Sequence, residues 1–142
     1  VILMSVVIDG RDHILGRLSS VVATKIMAGE DVIVLNARDV LVTGYKYRTF
    51  ADYKQIDDLG KTRKGPYTPR RADLLMKRTV RGMIPFKKPK GREAYRRLKV
   101  YVGVPKEMEG IKPERIEDAM TLNTSRYTTL GEVAKFLGSN VR

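Results

Sequence analysis

Four consecutive apolar residues, Val32-Ile33-Val34-Leu35, stand between Asp31 and Asn36, and this run constrains the fold more than any other stretch of the chain. A strand with one wet face alternates apolar and polar side chains, whereas an unbroken apolar strand has to be covered on both faces, as in a parallel sheet. Upstream, Ser5 to Asp9 is a short strand-forming run that stops at Gly10. Between the two, Leu15, Leu18, Val21, Val22 and Ile26 recur at helical spacing, with Arg17, Ser20 and Thr24 opposite them and Gly29 closing the pattern. Strand, helix and strand in this order make a βαβ unit.

A single domain over residues 1–142 is expected, because 142 residues with a hydrophobic fraction of 42% can bury a sizeable core. The chain has no cysteine, which excludes disulfides, thiolate metal sites and a cysteine nucleophile and suits a reducing compartment. No apolar run approaches the roughly 18 residues of a membrane span. The apolar start, Val1 to Val7, lacks a basic leader and reads as a strand, with Met4 either internal or the physiological start.

Charge is unevenly placed. Residues 1–45 sum to −1 and residues 100–142 to zero, while residues 46–99 carry eighteen Lys and Arg against five acids, a net +13. Such a block repels itself, and the commonest partner that relieves the repulsion is a phosphate backbone. Within it, residues 45–59 read as a polar helix, and Gly60 to Pro69 as an exposed loop. A helix is predicted from Pro69 toward Met83, stopped before Pro85. On a helical wheel Arg70, Arg71, Lys77, Arg78 and Arg81 share one arc, while Ala72, Leu75, Met76, Val80 and Met83 share the other, with Leu74 as the exception. Phe86 to Lys90 reads as a second basic loop and Gly91 to Leu98 as a short helix. Lys99 to Val104 reads as a strand, and Val40 to Gly44 as a short strand or a tight connection. Residues 105–125 suggest a polar surface excursion with a short helix near Arg115 to Met120, and Thr128 caps a final helix that ends before Gly138. Tyr45, Tyr47, Phe50, Tyr53, Tyr67, Phe86 and Tyr95 are interleaved with the cations. About three of them belong in the core by this reading, and the rest offer stacking surfaces for unpaired bases. No helix-turn-helix, zinc-finger or basic-zipper signature is present, which favours RNA over DNA.

Signals for catalysis are poor. Gly10 and Gly16 are too far apart for a dinucleotide fingerprint or a phosphate loop; Gly10 is expected to end a strand and Gly16 to let a helix start close to the sheet. Asp9, Asp12, the sole histidine His13, and Ser19 lie near one another in sequence, but Asp12 or His13 is better read as satisfying backbone groups at the helix start. Asp57-Asp58 and Glu117-Asp118 read as solvated ends or caps. No cofactor or metal is expected. The alternatives left open are a nucleotide-binding α/β enzyme using the Gly10 to Arg17 turn, and a free RNA chaperone or regulatory RNA binder.

Two stretches carry a resemblance. Asp9-Gly-Arg-Asp-His-Ile-Leu-Gly-Arg-Leu-Ser-Ser20 is the first. The second is Gly65-Pro-Tyr67 with Arg78-Thr-Val-Arg-Gly-Met-Ile-Pro85 and Gly91-Arg-Glu-Ala-Tyr-Arg-Arg-Leu-Lys-Val-Tyr101. Together they resemble the large-subunit ribosomal protein thirteen family in its archaeal and eukaryotic form, from about Val6 to Pro105. The resemblance implies an α/β three-layer sandwich with a mainly parallel four-stranded central sheet, helices on both faces and basic Pro/Gly-rich loops. It implies a non-enzymatic constituent of the cytoplasmic large ribosomal subunit, a monomer there, bound to large-subunit rRNA and neighbouring ribosomal proteins, with no membrane or small-molecule substrate. The expected RNA contacts are Arg48; Lys61, Arg63, Lys64 and Tyr67 in the first loop; and Arg70, Arg71, Lys77, Arg78 and Arg81 on the helix edge. Lys87, Lys88, Lys90 and Arg92 in the second loop and Arg96 beyond it complete the set. Both loops are expected to be partly disordered in the free protein, because their charges lack internal partners.

Overall fold

The computed structural model describes residues 5–58, 69–120 and 126–138. Its centre is the apolar run, which forms β2 (Asp31–Leu35). β2 pairs in parallel with β1 (Ser5–Asp9) on one side and with β4 (Leu98–Val100) on the other. Val32 and Val34 join Ile8 in the main core, while Ile33 and Leu35 pack with Val7 in a second cluster on the opposite face. The lack of alternation in the run is thus explained by burial on both faces.

Among the described residues α-helices cover only the first of these faces. The helices α1 (Leu15–Met27), α3 (Ala72–Arg81), α4 (Pro89–Arg96) and α5 (Leu130–Phe136) all contribute buried residues to the main core. Over the second face runs an irregular strap, whose Met108 and partly buried Tyr101 and Ile111 fill the second cluster. The remaining helix, α2 (Lys46–Asp58), packs on α5 and the adjoining strand β5 (Tyr127–Thr129).

Among the described residues the parallel sheet has three strands rather than the expected four. The place beside β1 is taken by a single bridge from Glu114, whose N–H donates to the Val7 carbonyl while its own carbonyl accepts from Asp9 N–H. Residues 40–44, ambiguous in sequence, contain a strand, β3 (Leu41–Thr43), outside that sheet. The chain turns away after β2 because Asn36 adopts a left-handed conformation (φ 57°) and Ala37–Asp39 forms a tight turn. Its N–H groups there are taken by the carbonyls of Tyr101, Val102 and Gly103. β3 then pairs antiparallel with β5.

Element boundaries moved in places. α3 starts at Ala72 rather than Pro69 and ends at Arg81, which leaves Met83 beyond the helix and 46% exposed; Ala72, Leu75, Met76 and Val80 are buried as the wheel requires. α4 starts at Pro89, β4 ends at Val100, and a short turn over Glu117–Ala119 replaces the predicted helix near it. Thr129, one residue after the predicted cap, accepts the Glu132 N–H at the start of α5, and the Thr128 hydroxyl donates to the Glu132 carboxylate.

Gly16 is exposed and a side chain there would meet nothing, so it does not bring α1 close to the sheet as expected. The close approach occurs at Gly91, where a Cβ would lie 2.0 Å from the Pro85 carbonyl oxygen. α4 sits directly on the connection that follows α3.

The Asp9–His13 region closes the fold at long range. His13 is fully buried; its Nδ1 lies 3.0 Å from the Arg11 carbonyl, and its Nε2 accepts the Ile116 N–H at 3.0 Å. These partners require the neutral ring with its proton on Nδ1. Asp9 accepts from Asn36 Nδ2 and Arg11 N–H, and Arg115 reaches it at 3.5 Å. Burial alone would raise the Asp9 pKa, but these donors outweigh it and hold the carboxyl below its ordinary value. Burial also pushes the His13 imidazole below its ordinary value.

Two predictions follow from this packing. Gly91→Ala should cost about 2 to 3 kcal/mol by overpacking against backbone, while Gly16→Ala should be neutral or stabilise by up to about 1 kcal/mol; urea denaturation of both variants checks the contrast. For His13, the unfolded imidazole takes up its proton near about 6.5 and the folded one only below that. Its contribution is therefore complete above that pH and is lost as pH falls toward the depressed folded value. Denaturation midpoints should drop as pH falls through and below about 6.5 in the wild type, and this part of the slope should vanish in His13→Gln.

Candidate nucleic-acid interface

α3 presents cations because its other face is buried. Ala72, Leu75, Met76 and Val80 pack toward α1, α5 and β4, which leaves Arg78 exposed. Arg71 is exposed at the position before the helix and pairs with Asp73 at 3.1 Å. Arg70 is exposed and its guanidinium reaches the end of α5 near Gly138. Lys77 and Arg81 are half-buried, each lying over an aromatic ring: Lys77 over Tyr95 at 5.0 Å and Arg81 over Phe86 at 4.0 Å. Phe86 and Tyr95 meet edge to face at 5.3 Å. The predicted basic arc therefore divides into exposed cations and cations held against rings.

The second basic loop is more regular than expected. Phe86 N–H donates to Ile84 and Lys88 N–H to Pro85, and α4 follows at once. Arg92 braces this connection, donating from Nε to the Phe86 carbonyl at 3.3 Å and from Nη2 to the Lys87 carbonyl at 3.4 Å. Lys87, Lys88, Lys90 and Arg96 are exposed, and among the described residues none of them, nor Arg78, is ion-paired. Arg97, not predicted as a site residue, donates to the Ile26 carbonyl at 2.9 Å and ties the end of α4 to α1. Its place directly before the buried Leu98 of β4 was the available signal.

The expected residues do not all meet. Arg48 is exposed on α2, whose packing partners are α5 and β5. Lys61, Arg63, Lys64 and Tyr67, and the rest of the Gly60 to Pro69 loop before Pro69, lie outside the described residues, as do Val1–Met4. Of the aromatics, Phe50, Tyr53 and Tyr95 pack against the core, whereas Tyr45 and Tyr47 are 57% and 86% exposed. Burial raises the Tyr53 pKa.

Two cavities differ in chemistry. Arg78, Arg81, Lys87 and Lys88 line a cleft of about 560 Å³ with Ile84 and Phe86. A groove of about 710 Å³ between α2 and α5 is walled by Tyr47 and by Phe50 and Phe136, whose rings stack at 4.5 Å; its Lys54 is paired with Asp58 at 3.3 Å. The first suits a polyanion and the second does not.

The Asp9, His13 and Ser19 grouping is accounted for by structure. Both His13 nitrogens are engaged with backbone, and the buried Ser19 hydroxyl points to Met76 Sδ at 3.7 Å on α3. Among the described residues no side chain caps the start of α1 as expected; His13 instead takes the Ile116 N–H. Gly10 packs against the Leu35 carbonyl and Val40, with a hypothetical Cβ 2.9 Å from each, so the turn is closed by protein where a nucleotide-binding enzyme would need room. Among the described residues no group of three or more His, Asp or Glu could hold a metal ion, and no helix is long and apolar enough to cross a membrane.

Comparison with known proteins bears on the same residues. Residues 4–107 match the family described as Ribosomal protein L13. Proteins named large ribosomal subunit protein uL13 are similar over nearly the whole chain. The one from Archaeoglobus fulgidus is 50% identical over 93% of this chain and 86% of its own length. Those from Methanococcoides burtonii and Methanosphaera stadtmanae are 45% and 42% identical, over 94% and 96% of this chain and 97% and 99% of their own lengths. These relatives are ribosomal proteins, not enzymes, and the likeness extends past the strap into the C-terminal part. The chain belongs to the ribosomal protein L13 family.

Proposed function

We propose that this protein is a structural constituent of the large ribosomal subunit, in the cytoplasm, where it binds large-subunit rRNA and steadies it during assembly. The observation that carries this reading is the segment from α3 to α4, which buries residues of both helices in the core and presents Arg78, Lys87, Lys88, Lys90 and Arg96 without ion pairs among the described residues. Arg70, Arg71, Lys77 and Arg81 add to this face, and Lys61, Arg63, Lys64 and Tyr67 extend it by sequence. Arg92 acts mainly by bracing the connection. Arg48, on α2, adds a separate contact. The whole chain acts as one domain and as a single copy, with neighbouring ribosomal proteins as further partners.

Affinity arises from release of counterions as cations replace them along the phosphate backbone, and from a scaffold that holds those cations in fixed places. Two measurements test the reading. Large subunits sedimented at moderate salt should carry nearly all of the protein; a freely sedimenting pool would indicate an RNA binder outside the ribosome. In filter binding to large-subunit rRNA, Arg78→Ala with Arg81→Ala should lower the log-log salt slope by about 0.7 to 0.9 for each lost phosphate contact, with the fold retained by circular dichroism. An unchanged slope would remove these two residues from the interface.

A further inference from the structure

Arg81 differs from the exposed cations between α3 and α4. Its guanidinium lies over Phe86, Phe86 meets Tyr95, and Tyr95 carries Lys77 over its ring. Four side chains from α3, the connection and α4 thus form one continuous ladder, all of them half-buried. A guanidinium held against an aromatic ring has already lost much of the rotamer freedom that an exposed arginine gives up on binding, and it is planar, so a second flat group can stack on it. Arg81 and Phe86 both line the 560 Å³ cleft, together with Ile84 and the exposed cations Arg78, Lys87 and Lys88. The volume lies within the range of about 300 to 1,000 Å³ usual for small-ligand sites.

An apolar, planar wall beside several cations matches the two halves of a nucleotide, a flat base and its phosphate. Paired RNA cannot use such a cleft, because its bases are stacked within the helix and only backbone and groove edges are presented. We infer that this cleft binds one unpaired nucleotide of RNA, the base stacked on the Arg81–Phe86 platform and the phosphate neutralised by Arg78, Lys87 or Lys88. The inference rests on the RNA-binding reading above and adds a preference for unpaired over paired RNA.

The test uses the full chain and two probes, a short single-stranded oligoadenylate and a blunt RNA duplex of the same length, each titrated at several salt concentrations. Arg81→Lys keeps the charge and removes the plane. Phe86→Leu keeps every charge and removes the ring beneath the plane. Each should weaken oligoadenylate binding by about tenfold, the scale of one base–side chain stack, while duplex affinity and the salt slopes on both probes stay at wild-type values. Equal losses on both probes, or no loss on either, would overturn the nucleotide site and leave the phosphate-binding reading standing. Salt-independent or absent binding of the wild type to both probes would overturn the RNA-binding reading itself.

Discussion

The burial of one face of α3 is the constraint on which the proposed surface depends. Leu75, Met76 and Val80 are withdrawn from water against α1, α5 and β4, and truncating any of them to Ala would cost roughly 2 to 5 kcal/mol for Leu or Met and somewhat less for Val. Because a helix offers only two broad faces, this burial dictates where Arg78 and its neighbours point. The core therefore does more than stabilise the domain. It supplies the energy that holds like charges side by side, a placement that would otherwise relax by unfolding or by splaying apart.

A second layer of restraint comes from the backbone between α3 and α4. Gly91 lets α4 rest on the Pro85 carbonyl, Arg92 binds two carbonyls of the connection, and the rings of Phe86 and Tyr95 steady Arg81 and Lys77. Some cations between α3 and α4 thus shape the connection, and the others stand exposed. At the end of β1 His13 and Asp9 fasten the strap through Ile116 and Arg115. Buried polar groups are tolerated there because each is hydrogen-bonded.

What could be read from sequence was what local periodicity encodes. The unalternating β2, the stripe of α1 and the two faces of α3 each follow from residues a few positions apart; the basic segment, however, is also scaffold, because Leu75, Met76, Val80, Ile84 and Ala94 lie in the main core. What escaped was non-local. β3 leaves the sheet to pair with β5, nearly ninety residues along the chain, the strap replaces a layer of helices, and His13 is paid for by an N–H 103 residues away. Gly16 and Gly91 look equivalent in sequence, yet only the second lies against another backbone. The basic residues proposed for the site are picked out by type and spacing, but their division into braces, ring-held cations and exposed cations needs three-dimensional neighbours. The family resemblance supplied the ribosomal context that charge alone leaves open.

The most direct test of the account is lysine-modification footprinting by mass spectrometry, comparing the free protein with intact large subunits. The account predicts that Lys87, Lys88 and Lys90, exposed in the free chain, lose their reactivity within the subunit. Unchanged reactivity at these three lysines would contradict it, because the face that the fold is built to present would then have no partner.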